Sequence, residues 1–439
     1  MTRTILDIHI LQTVPPSNLN RDDTGTPKSA TYGGVRRSRV SSQAWKRATR
    51  EAFGELLDAS ELGIRTKKVA EELAGRVQKL DASLTRAAAL ELAAETISTA
   101  TGSKLSVPKR KSKDADADAE DLAGESGYLM FLSNRQFSAL AALAVEGGKG
   151  GDVKALKDFL KIKANKDRAK QAVDTQHSVD IALFGRMVAD STDLNVDAAV
   201  QVAHALSVHP VEVESDYYTA VDDRNTRDEP GAGMIGTVEF NSATLYRYAA
   251  VDVNRLQENL GSGGDDEKQP ADATRRAVTA FLEGFITSLP TGKINTFGNQ
   301  TLPSAVIVKV RSRRPISYVG AFEQPVEPER NGGFLRNACD RLATFVPELE
   351  GRYGLAGAEQ GTRHSWVLRV GEETSALDVL GAEVNLPELL TAVGDAVVAR
   401  LTPGTAAGDR NGAASDTTAS NAGASDATSS NTAASGTRA

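Results

Sequence analysis

The sequence predicts an α+β fold: strand-like segments open and close the folded region, a helix-rich stretch lies between them, and a long hairpin interrupts the return to strands. Three observations carry that expectation. Leu6, Ile8 and Ile10 alternate with Asp7 and His9, the period of two of a strand with one buried and one polar face. Between residues 67 and 190 the apolar residues instead recur every three to four positions, as helices require. From Gly404 onward the sequence has only Ala, Gly, Ser, Thr, Asn, Asp and two Arg, so 403–439 is predicted to be a disordered C-terminal tail outside the fold.

The elements follow in order. After the first strand, 14–35 is dense in Pro, Gly, Asn and Asp and reads as a long irregular loop, and long ordered loops are usually functional. Ser41-Ser42 supplies an N-cap for a helix over 43–57, with Trp45, Ala48, Ala52 and Leu56 on one face and Lys46, Arg47 and Arg50 on the remaining arc. Val69, Leu73, Val77 and Leu80 form the first stripe of the helical stretch, and Ala-rich helices follow at 85–101, 136–146, 153–162 and 169–188. At 104–121 a basic run precedes alternating Asp and Ala, too polar to bury, and a mobile loop is expected. A helix is predicted over 197–206. Val211 and Val213, then Val238 and Phe240, mark the arms of a long hairpin with a Gly- and Pro-containing tip. Strands at 245–253, 305–310 and 366–370 and helices at 273–289 and 333–349 complete the α+β layer.

Net charge is −7, from 51 Lys+Arg against 58 Asp+Glu, which taken alone argues against a protein that coats nucleic acid. The distribution reverses that impression. Residues 24–50 carry Lys28, Arg36, Arg37, Arg39, Lys46, Arg47 and Arg50 with no acid, a local charge of +7 that leaves −14 for the rest of the chain. The single Cys339 excludes a disulfide framework and a multi-cysteine zinc site and suits a reducing cytoplasm. The first apolar run is broken by Asp7 and His9, so a signal peptide is not expected, and no apolar stretch of about 20 residues predicts a membrane span.

Seven cations beside a capped helix N-terminus make a phosphate-binding surface. The hydroxyls of Ser41 and Ser42 and the amide of Gln43 could join backbone donors on one phosphate, with Lys46 and Arg50 reaching the next from the same helix face. A solvated basic face is the plain alternative, but the absence of acids and the Gly/Pro/Ser-dense surroundings favour contact with a nucleic-acid backbone. Asp22-Asp23 could ligate a metal beside a phosphodiester, although a loop turn or an Arg21 partner is the commoner use. The five histidines form no ligand set, and there is no Gly-rich phosphate loop followed by Lys-Ser/Thr, no HExxH and no nucleophile elbow. Lys293, Asn295 and Thr296 could touch an RNA backbone, an ordinary turn being the commoner role. On the hairpin, Tyr217-Tyr218-Thr219 and the Gly233-Met234-Ile235-Gly236 segment could stack on or wedge between unpaired bases, or could pin the hairpin to its own domain.

Ile8-His9-Ile10-Leu11, Pro16-Ser17-Asn18-Leu19-Asn20-Arg21-Asp22-Asp23, Pro27-Lys28, Tyr32-Gly33-Gly34-Val35-Arg36-Arg37 and Arg39-Val40-Ser41-Ser42-Gln43-Ala44-Trp45-Lys46-Arg47-Ala48 closely resemble the N-terminal signature of CasC-type backbone proteins of the type I-E CRISPR surveillance complex, Cascade. Asp180-Ile-Ala-Leu-Phe-Gly-Arg-Met187, Thr219-Ala-Val-Asp-Asp223, Tyr246-Arg-Tyr248, Leu256-Gln-Glu-Asn-Leu260 and Thr301-Leu-Pro-Ser-Ala305 look like that family's motifs in its order, so the resemblance covers nearly everything before the tail.

The resemblance implies a palm built on a modified RNA-recognition-motif (ferredoxin-like) sheet over 1–66, 191–207 and 239–402, helical fingers over 67–190 and a β-hairpin thumb over 208–238. It implies a non-catalytic, cofactor-free cytoplasmic subunit of antiviral defence that binds crRNA and assembles with copies of itself and other Cascade subunits. Each thumb of the resulting helical filament would flip out one nucleotide of the neighbour's RNA, so that target DNA pairs in short segments. Carried over by motif, Lys28, Ser41, Gln43, Lys46 and Arg50 would grip the guide backbone, with Asn20 and Arg21 nearby. Tyr217, Tyr218 and Thr219 would belong to the RNA-kinking thumb, and Met187 and Ile235 would sit beside the interruptions in pairing. Residues 104–121 and the tail have no counterpart in the family's pattern, and the thumb tip at 224–231 departs from it. The rival from another class is a metal-dependent RNA endonuclease using Asp22 and Asp23, as related backbone proteins of other CRISPR types do.

Overall fold

Strand β1 (Ile5–Ser17) leads into the 18–28 loop, and β2 (Ser29–Tyr32) and β3 (Val35–Val40) then fold back on each other around Gly33-Gly34. The structure, a computed structural model, describes residues 3–106, 124–188, 192–221, 232–261, 270–355 and 364–402. Both glycines have positive φ, and a Cβ on Gly33 would lie 1.6 Å from the Glu323 carbonyl oxygen, so a side chain is excluded there. Helix α1 (Ser42–Leu56) is capped by the Ser41 hydroxyl, which accepts from the Ala44 N–H, and it buries Trp45, Ala48, Thr49 and Phe53.

A helical insertion follows: β4 (Gly63–Thr66), α2 (Val69–Leu80), α3 (Arg86–Thr101), β5 (Leu105–Ser106), β6 (Glu125–Ser126), β7 (Met130–Ser133), α4 (Asn134–Gly148), α5 (Val153–Lys161), α6 (Lys163–Asp174) and α7 (Val179–Phe184). Pairing of β4 with β7 closes its base, and Val69, Leu73, Val77, Phe137, Leu140 and Leu156 belong to a core of its own. The predicted first stripe is buried except for Leu80, which is exposed. The helix expected over 169–188 is broken in two, because Gln176 turns the chain with φ 54° between α6 and α7. Of the loop expected at 104–121, all but its first three residues lies outside the described residues.

Where a helix is expected at 197–206 the chain forms β8 (Val200–Val202) and β9 (Ala205–Ser207). Helix preference is a weak local bias, and here it loses to pairing of both strands with a long central neighbour and of β9 with β3. The hairpin is β10 (Glu214–Val221) and β11 (Ala232–Asp252), and β11 is that neighbour, running unbroken from the hairpin into the sheet. The tip, 222–231, lies outside the described residues. Then come α8 (Val253–Leu260), α9 (Pro270–Thr287), α10 (Ile294–Phe297), β12 (Ala305–Arg311), α11 (Leu335–Arg352), β13 (Ser365–Arg369), β14 (Ala382–Glu383) and α12 (Leu386–Leu401). The sheet is ten-stranded in the order β14-β13-β12-β1-β11-β9-β3-β2, with β8 and β10 also paired to β11. Contacts define two units, 1–402 and 403–439, and the second, where the tail is predicted, lies outside the described residues. Among the described residues no helix is long and apolar enough to cross a membrane.

The period of two in β1 is obeyed, but its polar side is not open to water. Leu6, Ile8 and Ile10 pack with Trp45, Phe281 and Phe285 on one face, while Ile5 and Leu11 join Leu342, Cys339 and Val346 of α11 on the other. Asp7 and His9, which mark the polar face, are 0% and 1% exposed. They are tolerated because each is partnered. The Asp7 carboxylate accepts from Arg311 Nε at 2.5 Å, Tyr248 Oη at 2.8 Å and the Ile316 N–H at 3.1 Å, and Arg311 also donates to Glu350 at 2.9 Å. His9 stacks on Tyr318 with ring centroids 4.0 Å apart; burial, and then the charges of Arg311 and Lys309, hold its pKa well below the usual value and keep it neutral.

Removing one member of such a buried ion pair leaves its partner uncompensated. Arg311→Met is therefore expected to lower stability by about 3–5 kcal/mol, read as a fall in the denaturant midpoint of the full chain, with Arg3→Met at the exposed side chain of its pair with Asp252 as a near-silent control.

Candidate nucleic-acid interface

With Trp45, Ala48, Thr49 and Phe53 turned inward, helical geometry presents Gln43, Lys46, Arg47 and Arg50 on the opposite arc. These four line one side of an open cleft of about 930 Å³, and Arg65, Phe131, Arg186 and Met187 line it from the insertion side. Met187 is 83% exposed. The cleft's acids are Glu51, which is bound to Arg47 at 2.8 Å, and Asp197. Burial lowers the Lys46 pKa below its usual value, so this ammonium has lost part of its water shell and favours an anion in its place.

At the start of α1 several donors are already engaged. The Ser42 N–H donates to His204 Nδ1 at 3.2 Å, the Ala44 N–H to Ser41 Oγ at 3.3 Å, and the Ser41 N–H to Asn20 Oδ1 at 2.9 Å. Asn20 thus fastens the loop to the helix. Lys28 follows from the same tie, its N–H donating to the Asn20 carbonyl at 2.8 Å. Sequence reasoning missed His204, which it placed at the end of a helix. Burial first, then the positive charges of Arg39 and Lys28, lower its pKa, so it remains a neutral acceptor in an electropositive corner.

The seven cations of 24–50 do not all face solvent. Arg37 is fully buried and donates to the carbonyl oxygens of Tyr32, Ser207, Phe322 and Glu323, joining the β2–β3 hairpin to the sheet. Arg50 is divided between two roles. It lines the cleft, yet its Nε donates to the buried Asp180 at 2.9 Å, its Nη2 to the Gly63 carbonyl at 3.2 Å, and its guanidinium lies 4.7 Å from the Phe131 ring centroid. Asp180 also accepts from the Gly63 N–H and the Ser178 hydroxyl, so Arg50 joins α1 to both ends of the insertion.

Asn20, Lys28, Ser41, Gln43, Lys46, Arg50 and Met187 thus lie at or beside the α1 cleft, whereas Arg21 lines a second cleft at the base of the hairpin. The hairpin register pairs Tyr217 with Thr237, Tyr218 with Gly236 and Thr219 with Ile235. Alternation therefore puts Tyr217, Thr219 and Ile235 on one face and Tyr218 on the other. Tyr217 and Ile235 are exposed, and Tyr218 lies across Gly236, where a Cβ would come within 2.4 Å of its hydroxyl. Asp22 is engaged by its own loop: Oδ1 accepts from the Thr24 hydroxyl at 2.7 Å and from the Thr24 and Thr26 N–H groups, bonds that lower its pKa, the Thr24 hydroxyl foremost. Among the described residues no group of three or more His, Cys, Asp or Glu side chains is placed to hold a metal ion.

The fold and the cleft define a class: an α+β protein with a helix whose cationic arc faces a cleft between a large sheet and a helical insertion. A family model described as CT1975-like protein matches residues 6–392, and the chain belongs to that family of Cas proteins. Solved structures are similar to it, two of them as follows. A chain of a "CRISPR RNA-guided surveillance complex, pre-nicking" is 32% identical with a TM-score of 0.73, covering 90% of this chain and 100% of that one. A chain of a "CRISPR RNA-guided surveillance complex" is 30% identical with a TM-score of 0.64, covering 89% and 99%. No curated protein matches the sequence.

The double engagement of Arg50 has a measurable consequence. Arg50→Ala leaves the Asp180 carboxylate, 2% exposed, without its counter-charge and is expected to lower stability by about 2–4 kcal/mol. Lys46→Ala, which breaks no ion pair among the described residues, should leave the thermal midpoint nearly unchanged in the same scan.

Proposed function

We propose that the protein is a non-catalytic crRNA-binding backbone subunit of the CasC type in a type I-E surveillance complex. Copies of it line the crRNA as a helical filament in the cytoplasm, beside other Cascade subunits, and support crRNA pairing with target DNA in antiviral defence. The observation that carries this reading is the α1 cleft, where Gln43, Lys46 and Arg50 meet the exposed Met187 in a setting nearly free of unpaired acids. Such a surface offers cations and the Gln43 side-chain amide to phosphates and an apolar side chain to a base face, with nothing that reads base edges. Guides of differing sequence need that tolerance.

The sheet supports the same assignment. Its central order β12-β1-β11-β9, with α1 and α9 packed in one cluster on the same face, fits an RNA-recognition-motif-like, ferredoxin-like palm. An open sheet in that fold stacks bases on its free face. Here α11 and its neighbours cover that face, which leaves the loops and α1 for the RNA. On the thumb, Tyr217, Thr219 and Ile235 form the face that meets nucleic acid, and Tyr218, laid over Gly236, stiffens the ribbon. Asp22, engaged by its own loop turn, lends no support to a nuclease role.

Lys46→Ala is expected to weaken binding about equally for single-stranded RNAs of unrelated sequence and to reduce the slope of log K against log salt by about 0.7 to 1. Titrations by fluorescence anisotropy at several salt concentrations measure both. An unchanged slope removes Lys46 from the phosphate contacts.

A further inference from the structure

Strand β11 changes partner between Phe240 and Asn241. Residues 232–240 pair with β10, down to Glu214–Phe240, and 241–252 pair with β1, from Ser17–Asn241 onward. The hairpin therefore leaves the sheet as a two-stranded ribbon, and such ribbons twist more strongly than wider sheets. The pairing behind it is weakest at the same place. Between Val14–Ala243 and Ser17–Asn241 β1 carries one residue more than β11, and Pro15 and Pro16, which fall in that bulge, have no N–H to donate. The sheet alone does not fix the direction in which the ribbon departs.

Three contacts from elsewhere in the chain meet at this root. The buried Asn18 donates from Nδ2 to the carbonyls of Glu239 and Gly25 at 2.9 Å each, the Ser38 hydroxyl donates to Asn241 Oδ1 at 3.2 Å, and the Phe240 ring lies 5.6 Å from Phe297 of α10. The segment that carries Phe297 is itself seated on the chain leaving β1, because a Cβ on Gly292 would strike the carbonyl oxygens of Leu19 and Asn18. Lys293 then opens α10 with φ 52°, a left-handed conformation that a lysine holds only when its surroundings impose it. Small errors at the root are amplified. Ile235 is five residues beyond Phe240, roughly 17 Å at about 3.4 Å per residue, so a swing of about 12° moves it by about the 3.4 Å rise of one stacked nucleotide. A swing of that size is within the ordinary spread of strand twist.

We propose that Asn18 is a positioning residue: with Phe297 it clamps the root of the hairpin, sets the angle at which the ribbon leaves the sheet, and so fixes the nucleotide at which the hairpin of one copy interrupts the RNA held by the next. The assignment rests on the guide-RNA reading above and adds to it the device that keeps the interruptions in register. Asn18 suits the task because one amide nitrogen satisfies two carbonyl oxygens from two segments at once. Its Oδ1 has no hydrogen-bond partner among the described residues, so Asn18→Asp keeps the shape of the side chain, removes both donations and turns a carboxylate oxygen toward two carbonyl oxygens with nothing to compensate.

Two readouts on the full chain test the clamp. In the first, without RNA, nitroxide labels on Thr219→Cys and Glu55→Cys, both exposed positions, report the distance from hairpin to α1 by pulsed electron paramagnetic resonance, while the native Cys339 is buried away from the label. The parent is expected to give one narrow distance, and adding Asn18→Asp to broaden it, with the population of loosened hairpins raised about tenfold, the scale of one net hydrogen bond. In the second, nuclease footprinting of the unlabelled chain on a CRISPR guide RNA with its partner subunits, Asn18→Asp should keep the number of copies per RNA but spread each interruption over the flanking nucleotides. A folded Asn18→Asp with a narrow distance and a sharp footprint, even one with a lowered thermal midpoint, overturns the clamp and leaves the guide-RNA reading intact. A wild-type complex with no regular interruption overturns the guide-RNA reading, and the register role with it, whatever the label distances show. If Asn18→Asp does not fold, Phe297→Ala is put through both measurements, and an unchanged distance and footprint there overturn the proposal.

Discussion

The guanidinium of Arg247 lies between two rings, 3.7 Å from the centroid of Trp45 and 4.6 Å from that of Phe285, and the placement of the site depends on that contact. Arg247 is buried with no carboxylate bonded to it among the described residues, donating to Gln12 Oε1 at 2.6 Å and to the Phe285 carbonyl, and burial lowers its pKa to about 9. It extends from β11 and holds Trp45 of α1 and Phe285 of α9 against the same sheet face. Once Trp45 is fixed there, α1 can no longer rotate about its axis, and Gln43, Lys46, Arg47 and Arg50 must face outward. The bond from Arg50 to Asp180 then sets where the insertion stands relative to that arc. The cleft is thus a consequence of core packing on one side of a helix and of one ion pair on the other.

Charge is apportioned in the same economical way. A chain of net charge −7 keeps 24–50 free of acids, yet the fold withdraws Arg37 to bind carbonyls and pairs Arg47 with Glu51. What remains toward the α1 cleft and its entrance is a track through Lys28, Arg39, Lys46 and the exposed part of Arg50, faced across the cleft by Arg65. Attraction of that kind is local, because charges separated by more than about 10 Å are screened at ordinary salt. It suits a protein that holds a polyanion along one line while its acidic remainder repels others.

Much of this was legible in the sequence where local pattern and tertiary demand agree. The alternation in β1, the Ser41 cap and the inward turn of Trp45 and Ala48 needed no partner to be read, although Thr49 and Phe53 complete the buried face of α1 where the spacing predicts Ala52 and Leu56. The misreadings share one cause, a partner distant in the chain. Residues 197–206 look helical until β11 and β3 pair with them, and the polar face of Asp7 and His9 shows nothing to cover it until Arg311, Tyr248 and Tyr318 arrive from more than 230 positions away. Tyr217 and Tyr218 read as one aromatic patch, but the two-residue period of a strand sends them to opposite faces. Nothing near Arg50 in the sequence announces Asp180, and nothing near Glu239 announces the loop and the lysine that share its cleft.

The claim that this fold exists to be repeated along a guide is tested most directly by the mass of its complex. Size-exclusion chromatography with light scattering of the full chain, alone and with a CRISPR guide RNA in limiting amount, reads the stoichiometry, and nuclease footprinting of the same fraction reads the spacing. Several copies per RNA, with cleavage at regular intervals where each hairpin interrupts the strand, is the predicted result. A single copy per RNA at saturating protein in the presence of the partner subunits, with no periodicity in the footprint, would contradict it.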